Sequence, residues 1–326
     1  MSNVYDMEST FYARVLYALW YLCIIILGLV GNFIIIIASV RFKGIRLDKI
    51  SVMLIRHIAV ADVMHIILVV IPAETSIICN RWVFGDTFCK IQTYLLPIFF
   101  STSMFLLCGL NINKLVCLMD PLRSKNRSSR TGRYIGASFW LQVIISMTIV
   151  HLSTFSFKKW DYHYSSTVFH CSGTYLDAGS FYEILTAVSL LVPSVVIIIT
   201  TACLLCFVHQ INGLQKQSVQ TLVLVSTVFC ISFIPFGITT ALVASGNPLK
   251  SFGINLAVYL RITTMLGNLN VGVNAIIYFM TINSFNKFVK NLRIHLKQMF
   301  VSKNKMQVVP ALTKCKSTGT VLSLVD

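Results

Sequence analysis

A single carboxylate, Asp62, ends the apolar stretch Ile58-Ala59-Val60-Ala61. Charging a carboxylate in hydrocarbon costs about 2.5–3.5 kcal/mol on insertion scales, so a partner or a water cavity must accompany it. His57 and His65 share its segment. As metal ligands they are badly placed: a helix sets them about 80° apart, and no third histidine joins them at ligand spacing. Cys203 and Cys206 spell Cys-x-x-Cys inside an apolar run with no second pair, which argues against a zinc or redox site. No Gly-x-Ser nucleophile with a nearby histidine stands out. The set of catalytic residues is empty, and no enzyme is expected.

The elements that carry these residues are set by composition. Of 326 residues, 56% are apolar and 12% charged, against about 25% charged in a soluble domain. The chain is that of an integral membrane protein. Runs of bilayer length, free or nearly free of charge, cover 15–40, 53–73, 91–112, 134–157, 184–208, 217–245 and 262–282. These predict seven transmembrane helices. Short alternating strands of a barrel do not occur. In the first run, Gly31 allows a close neighbour and the Asn32 amide needs a partner, because hydrocarbon offers none.

The net charge of +16 is distributed by topology. If the first helix leaves the membrane at Arg41, that side holds four Lys/Arg at 41–49, five at 123–133, Lys216 and eight at 287–316. The other side holds seven Lys/Arg, balanced by seven acids. The positive-inside rule then places the N-terminus outside and the tail in the cytosol. The basic balance serves topology and anionic lipid contact, and nucleic acid is not an expected partner. With no signal peptide in view, the first span is expected to act as its own insertion signal. Over 284–300, Phe285, Phe288, Val289, Leu292, Leu296 and Met299 share one helical face, away from Lys287, Lys290, Arg293 and Lys297. That pattern predicts a helix lying on the cytosolic leaflet.

Several motifs now fall in order. The third span opens with Trp82-x-Phe84-Gly85-x-x-x-Cys89-Lys90 and closes with Ile112-Asn113-Lys114-Leu115…Pro121-Leu122-Arg123. The sixth carries Phe229-Cys230-Ile231-Ser232-Phe233-Ile234-Pro235-Phe236, and the seventh Asn270…Asn274-Ala275-Ile-Ile-Tyr278. The loop between the fourth and fifth spans holds Phe169-His170-Cys171. Over 27–300 the chain resembles the rhodopsin-like (class A) G protein-coupled receptors. It departs from that family at Asn113-Lys114-Leu115, where Asp-Arg-Tyr is usual, at Ala275 for a proline, and at Thr201 for a tyrosine.

The resemblance implies an all-α membrane protein: a seven-transmembrane helix bundle with a short amphipathic eighth helix. Residues 1–13 would be an extracellular N-terminus, 14–300 the transmembrane domain with the eighth helix, and 301–326 a cytoplasmic tail. The protein would be a multi-pass resident of the plasma membrane. It would bind an extracellular small molecule or short peptide and signal to a heterotrimeric G protein. Arrestin and membrane lipids are further partners.

The ligand pocket implied is Glu74, Thr93, Leu96, Pro97, Phe100, Glu183, Phe233, Phe236, Thr240, Arg261, Thr264 and Asn268. Leu96 stands where amine receptors keep an aspartate, and Asn268 where opsins keep their lysine, so neither an amine nor retinal is expected. Coupling is assigned to Asn113, Lys114, Pro121, Leu122 and Tyr278. Asp62, Ser103, Asn270 and Asn274 match a sodium pocket; no other cofactor is implied. Cys89 and Cys171 are the implied disulfide, with Cys79 as competitor on the same face.

Asn113 and Gln215-Lys216-Gln217 supply no carboxylate to the ion pairs that close the family's cytoplasmic face, so a weak lock is expected. An alternative reading is a receptor-like binding or partner subunit that no longer couples, favoured by Lys114, Thr201 and Ala275.

Overall fold

The computed structural model describes residues 11–41, 47–122, 126–156, 160–175, 179–244, 256–282, 285–291, 293–294 and 298. Side chains at 153–162, 172–190 and 240–257 and at a few single positions lie outside the described set. Seven long helices follow one another: α1 (Phe11–Arg41), α2 (Lys49–His65, continued by Ile66–Val70 and Ile71–Cys79), α3 (Gly85–Met119), α4 (Ser129–Ser156), α5 (Gly179–Val208), α6 (Gly213–Ala244) and α7 (Leu256–Thr281). Counted over the described residues alone, six of them are long and apolar enough to cross a membrane.

The bundle is apolar outside and polar within. Leu16, Leu22, Ile26, Val30, Phe33 and Ile37 of α1 are 43–66% exposed, whereas Asn32, Asp62, Asn111, Asn270 and Asn274 are all at most 3% exposed. Water would forbid that arrangement; hydrocarbon around the bundle requires it.

Small residues set the closest helix contacts. A Cβ on Gly31 would fall 2.5 Å from Ala275 Cβ, which brings α1 against α7. At that crossing Asn32 Nδ2 donates to Gly28 O and to Val271 O, both at 2.9 Å. The amide therefore finds its partners in two backbones. Gly132 and Gly136 seat α4 on α2, and a Cβ on Gly136 would collide with the His57 ring. Packing, not ligation, accounts for His57.

Where the sequence pattern ends the second span at 73, the structure carries α2 on to Cys79. A π-helical turn, Ile66–Val70, precedes Pro72. Proline has no N–H and crowds the carbonyl four residues back, here Leu68 O. The wider turn relieves that crowding, and Gln92 Nε2 of α3 donates to Leu68 O at 3.3 Å.

The loop after α4 is a hairpin, not the plain loop expected. Strands β1 (Trp160–Ser165) and β2 (His170–Tyr175) pair antiparallel, with Tyr164 opposite Cys171 and Ser165 opposite His170. Phe169 turns the chain with φ +61°, and its N–H donates to Ser165 O at 2.9 Å.

Candidate functional site

One end of the bundle is organised on the hairpin. Cys89 and Cys171 are disulfide-bonded, with Cα atoms 5.3 Å apart, and Cys79 is free. One turn along α3 from Cys89, the fully buried Gln92 accepts the Cys171 N–H at 2.9 Å through Oε1. The same amide donates to α2 at Leu68 O, so one side chain joins hairpin, α3 and α2. Outside, Trp82 stacks on Phe88 and on Tyr164, and its Nε1–H donates to Gly85 O at 2.9 Å. That explains the Trp-x-Phe-Gly spelling: the tryptophan caps its own turn while bracing the hairpin.

The hairpin tip reaches toward α7. Arg261 Nε donates to Thr167 O at 3.0 Å and Nη2 to Ser166 O at 3.2 Å. Its guanidinium also lies 5.4 Å from the Tyr17 ring and 5.1 Å from the Phe169 ring. Phe169 is buried against Tyr17 and Tyr21 of α1. His170 Nδ1 is 3.0 Å from Val168 O, and burial pushes its imidazole down to about 4. Neutral imidazole is thus part of the tip.

Of the residues expected to form a ligand pocket, four converge below the hairpin. Phe100 meets Phe233 edge-on at 4.9 Å and stacks on Phe236 at 6.0 Å. Its other edge meets His65 at 4.8 Å, and His65 Nε2 is 3.0 Å from Asn268 Oδ1. Asn268 in turn donates to Tyr21 Oη at 3.3 Å. Thr93 and Thr264 donate to carbonyls of their own helices, Cys89 O and Leu260 O. Glu74 is buried with Oε2 unpartnered. Leu96 and Pro97 are half-buried, and Arg261 is engaged at the hairpin tip instead. The side chains of Glu183 and Thr240 lie outside the described residues.

Deeper in the bundle, Ser103 Oγ donates to Asp62 Oδ1 at 3.3 Å and Asn274 Nδ2 to Oδ2 at 3.5 Å. Asn270 is one turn from Asn274 on the same face of α7. The Oδ1 atoms of both asparagines are buried and without a hydrogen-bond partner. Asp62, Ser103 and Asn274 meet here, and the carboxylate, hydroxyl and amide oxygens these residues carry are of the kind that suits a hard cation.

The half of the bundle away from the hairpin holds two amide hubs. Asn111 Nδ2 lies 2.9 Å from Ser226 Oγ of α6 and 3.3 and 3.4 Å from the Thr200 and Thr201 hydroxyls of α5. Asn113 Nδ2 donates to Asp48 Oδ1 at 2.9 Å and Ser51 Oγ at 3.1 Å, and its Oδ1 accepts from Arg127 at 3.3 Å. Asp48 is itself the N-cap of α2, taking the Ser51 N–H at 2.8 Å. Hydrogen bonds of a neutral amide thus stand where the family pattern led us to expect missing ion pairs. Lys114 is 6% exposed and Tyr278 1%, with the Tyr278 Oη unpartnered.

Pro121 and Leu122 project from the end of α3, Leu122 being 82% exposed. Residues 285–291 are helical, with Phe285 buried, Phe288 and Val289 half-buried, and Lys287 and Lys290 exposed. The expected apolar positions at 292, 296 and 299 lie outside the described residues.

Gln92 and Asn111 escaped the sequence reading, although the argument applied to Asn32 holds for them. Each is an uncharged amide in a bilayer-length run and needs an internal partner.

Known proteins match this arrangement along most of its length. The model of a family described as 7 transmembrane receptor (rhodopsin family) fits residues 31–278. The chain is 25% identical to purinoceptor 1 of Cavia porcellus over 285 residues, 82% of this chain and 74% of that receptor. It is 23% identical to C-C chemokine receptor type 8 of Mus musculus over 302 residues, 88% of this chain and 82% of the relative. With lysophosphatidic acid receptor 4 of Homo sapiens the identity is 25% over 320 residues, 90% and 81% of the two chains.

Proposed function

This chain belongs to the rhodopsin family of seven-transmembrane receptors, and on that premise we propose that it binds an extracellular ligand and signals to a heterotrimeric G protein. Leu122 carries the proposal. A leucine 82% exposed at the end of α3, beyond the apolar span, is left uncovered by the described residues. Burying it in another protein would recover about 1.5–3 kcal/mol. Relatives named for purines, chemokines and lysophosphatidic acid support a receptor for an extracellular ligand and differ in the class of that ligand. Ligand entry would be governed by the hairpin, with the Phe100–Phe233–Phe236 cluster beneath it coupling α3 to α6.

Plasma-membrane residence with the N-terminus outside follows from the same reading, since a disulfide belongs on the oxidising face. Residues 1–13 would then be extracellular, and 301–326 a cytoplasmic tail open to arrestin. The basic face of 285–291 suits anionic lipid. Asp62, Ser103, Asn270 and Asn274 would hold a sodium ion, whose charge would neutralise the buried carboxylate.

A second reading, a binding subunit that does not couple, is favoured by the burial of Lys114 and by Thr201 being drawn to Asn111. Both residues would have to be released before a partner could use them. Dissociation of labelled G proteins, measured class by class in cells, decides between the two. Coupling predicts a signal that Leu122→Asp removes at unchanged surface expression. Silence of the wild type in every class, with and without ligand, selects the binding subunit.

A further inference from the structure

A cavity of about 170 Å³ opens at the extracellular end between α1, α2, α7 and the hairpin tip. It is separate from the aromatic cluster under the hairpin. Its walls include Arg14 and Tyr17 of α1, Asn80 at the end of α2, Ser166 and Phe169 of the tip, and Arg261 of α7. Two guanidinium groups thus face one small space, and among its described lining residues there is no carboxylate. Arg14 Nε is buried without a hydrogen-bond partner. Arg261 spends two of its five N–H groups on Ser166 O and Thr167 O, leaving three.

We propose that this cavity binds a phosphate-type oxyanion, held between Arg14 and Arg261, as the head-group site of the receptor's ligand. The inference rests on the receptor reading above and supplies the chemical class of that ligand. Guanidinium is planar and pairs with phosphate through two parallel N–H donors, and such charge-assisted bonds are the strong ones. Two cations facing one space favour a dianion over a single carboxylate. The volume decides how much of a ligand enters: drug-sized molecules need about 300–1,000 Å³, so only the anionic group fits here and the remainder lies outside.

The walls give binding a consequence. An anion bridging Arg14 and Arg261 would join the start of α1 to the residue that already pins the hairpin tip. The tip would then be fastened to α1 and α7 together. Ser76 also lines the cavity but commits its hydroxyl proton to Pro72 O at 2.8 Å, so the arginines carry the recognition.

The test uses the full-length receptor purified in neutral detergent. All samples carry Asp6→Asn and Glu8→Gln, so that these N-terminal carboxylates cannot occupy the cavity. Melting temperature is followed against sodium pyrophosphate, lysophosphatidic acid and sodium acetate at matched ionic strength. The expected result is a saturable stabilisation by one or both phosphate probes and none by acetate. Its midpoint weakens by about tenfold or more in Arg14→Gln and in Arg261→Gln. Response to pyrophosphate assigns a soluble source and response to lysophosphatidic acid alone a lipid one; both support the site.

Should Arg261→Gln loosen the hairpin and fail to fold, Arg14→Gln decides alone. Equal midpoints in wild type and Arg14→Gln, acetate acting as well as phosphate, or no response to either phosphate probe overturns the site. No G protein enters this measurement. A receptor that binds pyrophosphate here and never couples would refute the signalling reading and leave the site standing. One that couples but fails the test does the opposite.

Discussion

The two ends of the bundle are closed by different chemistry. At the hairpin end a covalent bond ties the hairpin to α3, and Arg261 holds the tip through two carbonyls and two rings. Toward the other end the described fastenings of Asn111 between α3, α5 and α6 are uncharged, to Thr200, Thr201 and Ser226. A disulfide stays formed for the life of the protein. A neutral hydrogen bond contributes about 0.5–1.5 kcal/mol net, and a hydroxyl released from an amide can rebond to its own helix. Thr200 already does so, donating to Val196 O at 2.7 Å. A face that exchanges partners needs contacts that break cheaply, so on the signalling reading proposed above the Asn111 end is the one that would open.

The largest expected effect breaks the permanent end. Cys171→Ser should cost about 2–5 kcal/mol and sharply reduce surface expression, measured by antibody staining of intact cells. Normal expression with an unchanged melting temperature would mean that Arg261 and Gln92 suffice and that the disulfide is not the chief fastening.

A smaller effect is expected from Asn111→Leu at the opening end. Removing the amide should destabilise by about 1–3 kcal/mol and raise basal G protein activation as α6 loosens from α3. A fall in basal activity would show that the hub belongs to the open state and would reverse the contrast.

Between the ends, Asp62→Asn should remove any stabilisation by sodium over choline chloride while sparing the fold, as read by melting in the two salts. Identical melting of the wild type in both salts would refute a sodium site.

The smallest effect concerns pH. His170 is neutral in the fold at about 4, below the ordinary value of about 6.5. The unfolded state therefore binds more protons between those values, and stability there rises with pH. The hairpin should keep its full stability above about pH 6.5 and lose it progressively toward pH 4. Protection of the amides at 163–171, taken relative to their intrinsic exchange rate at each pH, should fall at pH 5.5 in the wild type and not in His170→Gln. The same fall in both would acquit His170.

Much of this was legible from composition alone, because hydrocarbon accepts only long apolar helices and makes every exception conspicuous. Asn32 and Asp62 stood out for that reason, and both proved to be partnered inside the bundle. The Cys89–Cys171 pair followed from the family pattern. What stayed hidden depends on which faces meet. Gln92 and Asn111 each look like one tolerated amide until α2, α5, α6 and the hairpin supply their partners. The hairpin was missed although β1 alternates Trp160, Tyr162 and Tyr164 with Asp161, His163 and Ser165, a signal for a strand; its partner, His-Cys-Ser-Gly-Thr-Tyr, shows no such alternation. At Asn113 the sequence showed which carboxylate is missing, but not the hydrogen bonds to Asp48, Ser51 and Arg127 that depend on how α2, α3 and α4 meet.

The π-helical turn at Ile66–Val70 also bears on how this chain can change length. Such a turn is an α-helix that has absorbed one surplus residue. The segment Ile71–Cys79 keeps Glu74, Ser76 and Ile77 facing inward because the surplus is taken up before them. Deleting one residue within Ile66–Val70 would restore an ordinary helix and leave that inward set in phase. The same deletion a few turns earlier, at Ile58 or Ala59, would swing intervening residues by about 100° around the axis and turn Asp62 out of its pocket. Length variation in α2 therefore has one permitted address, and it lies immediately before Pro72.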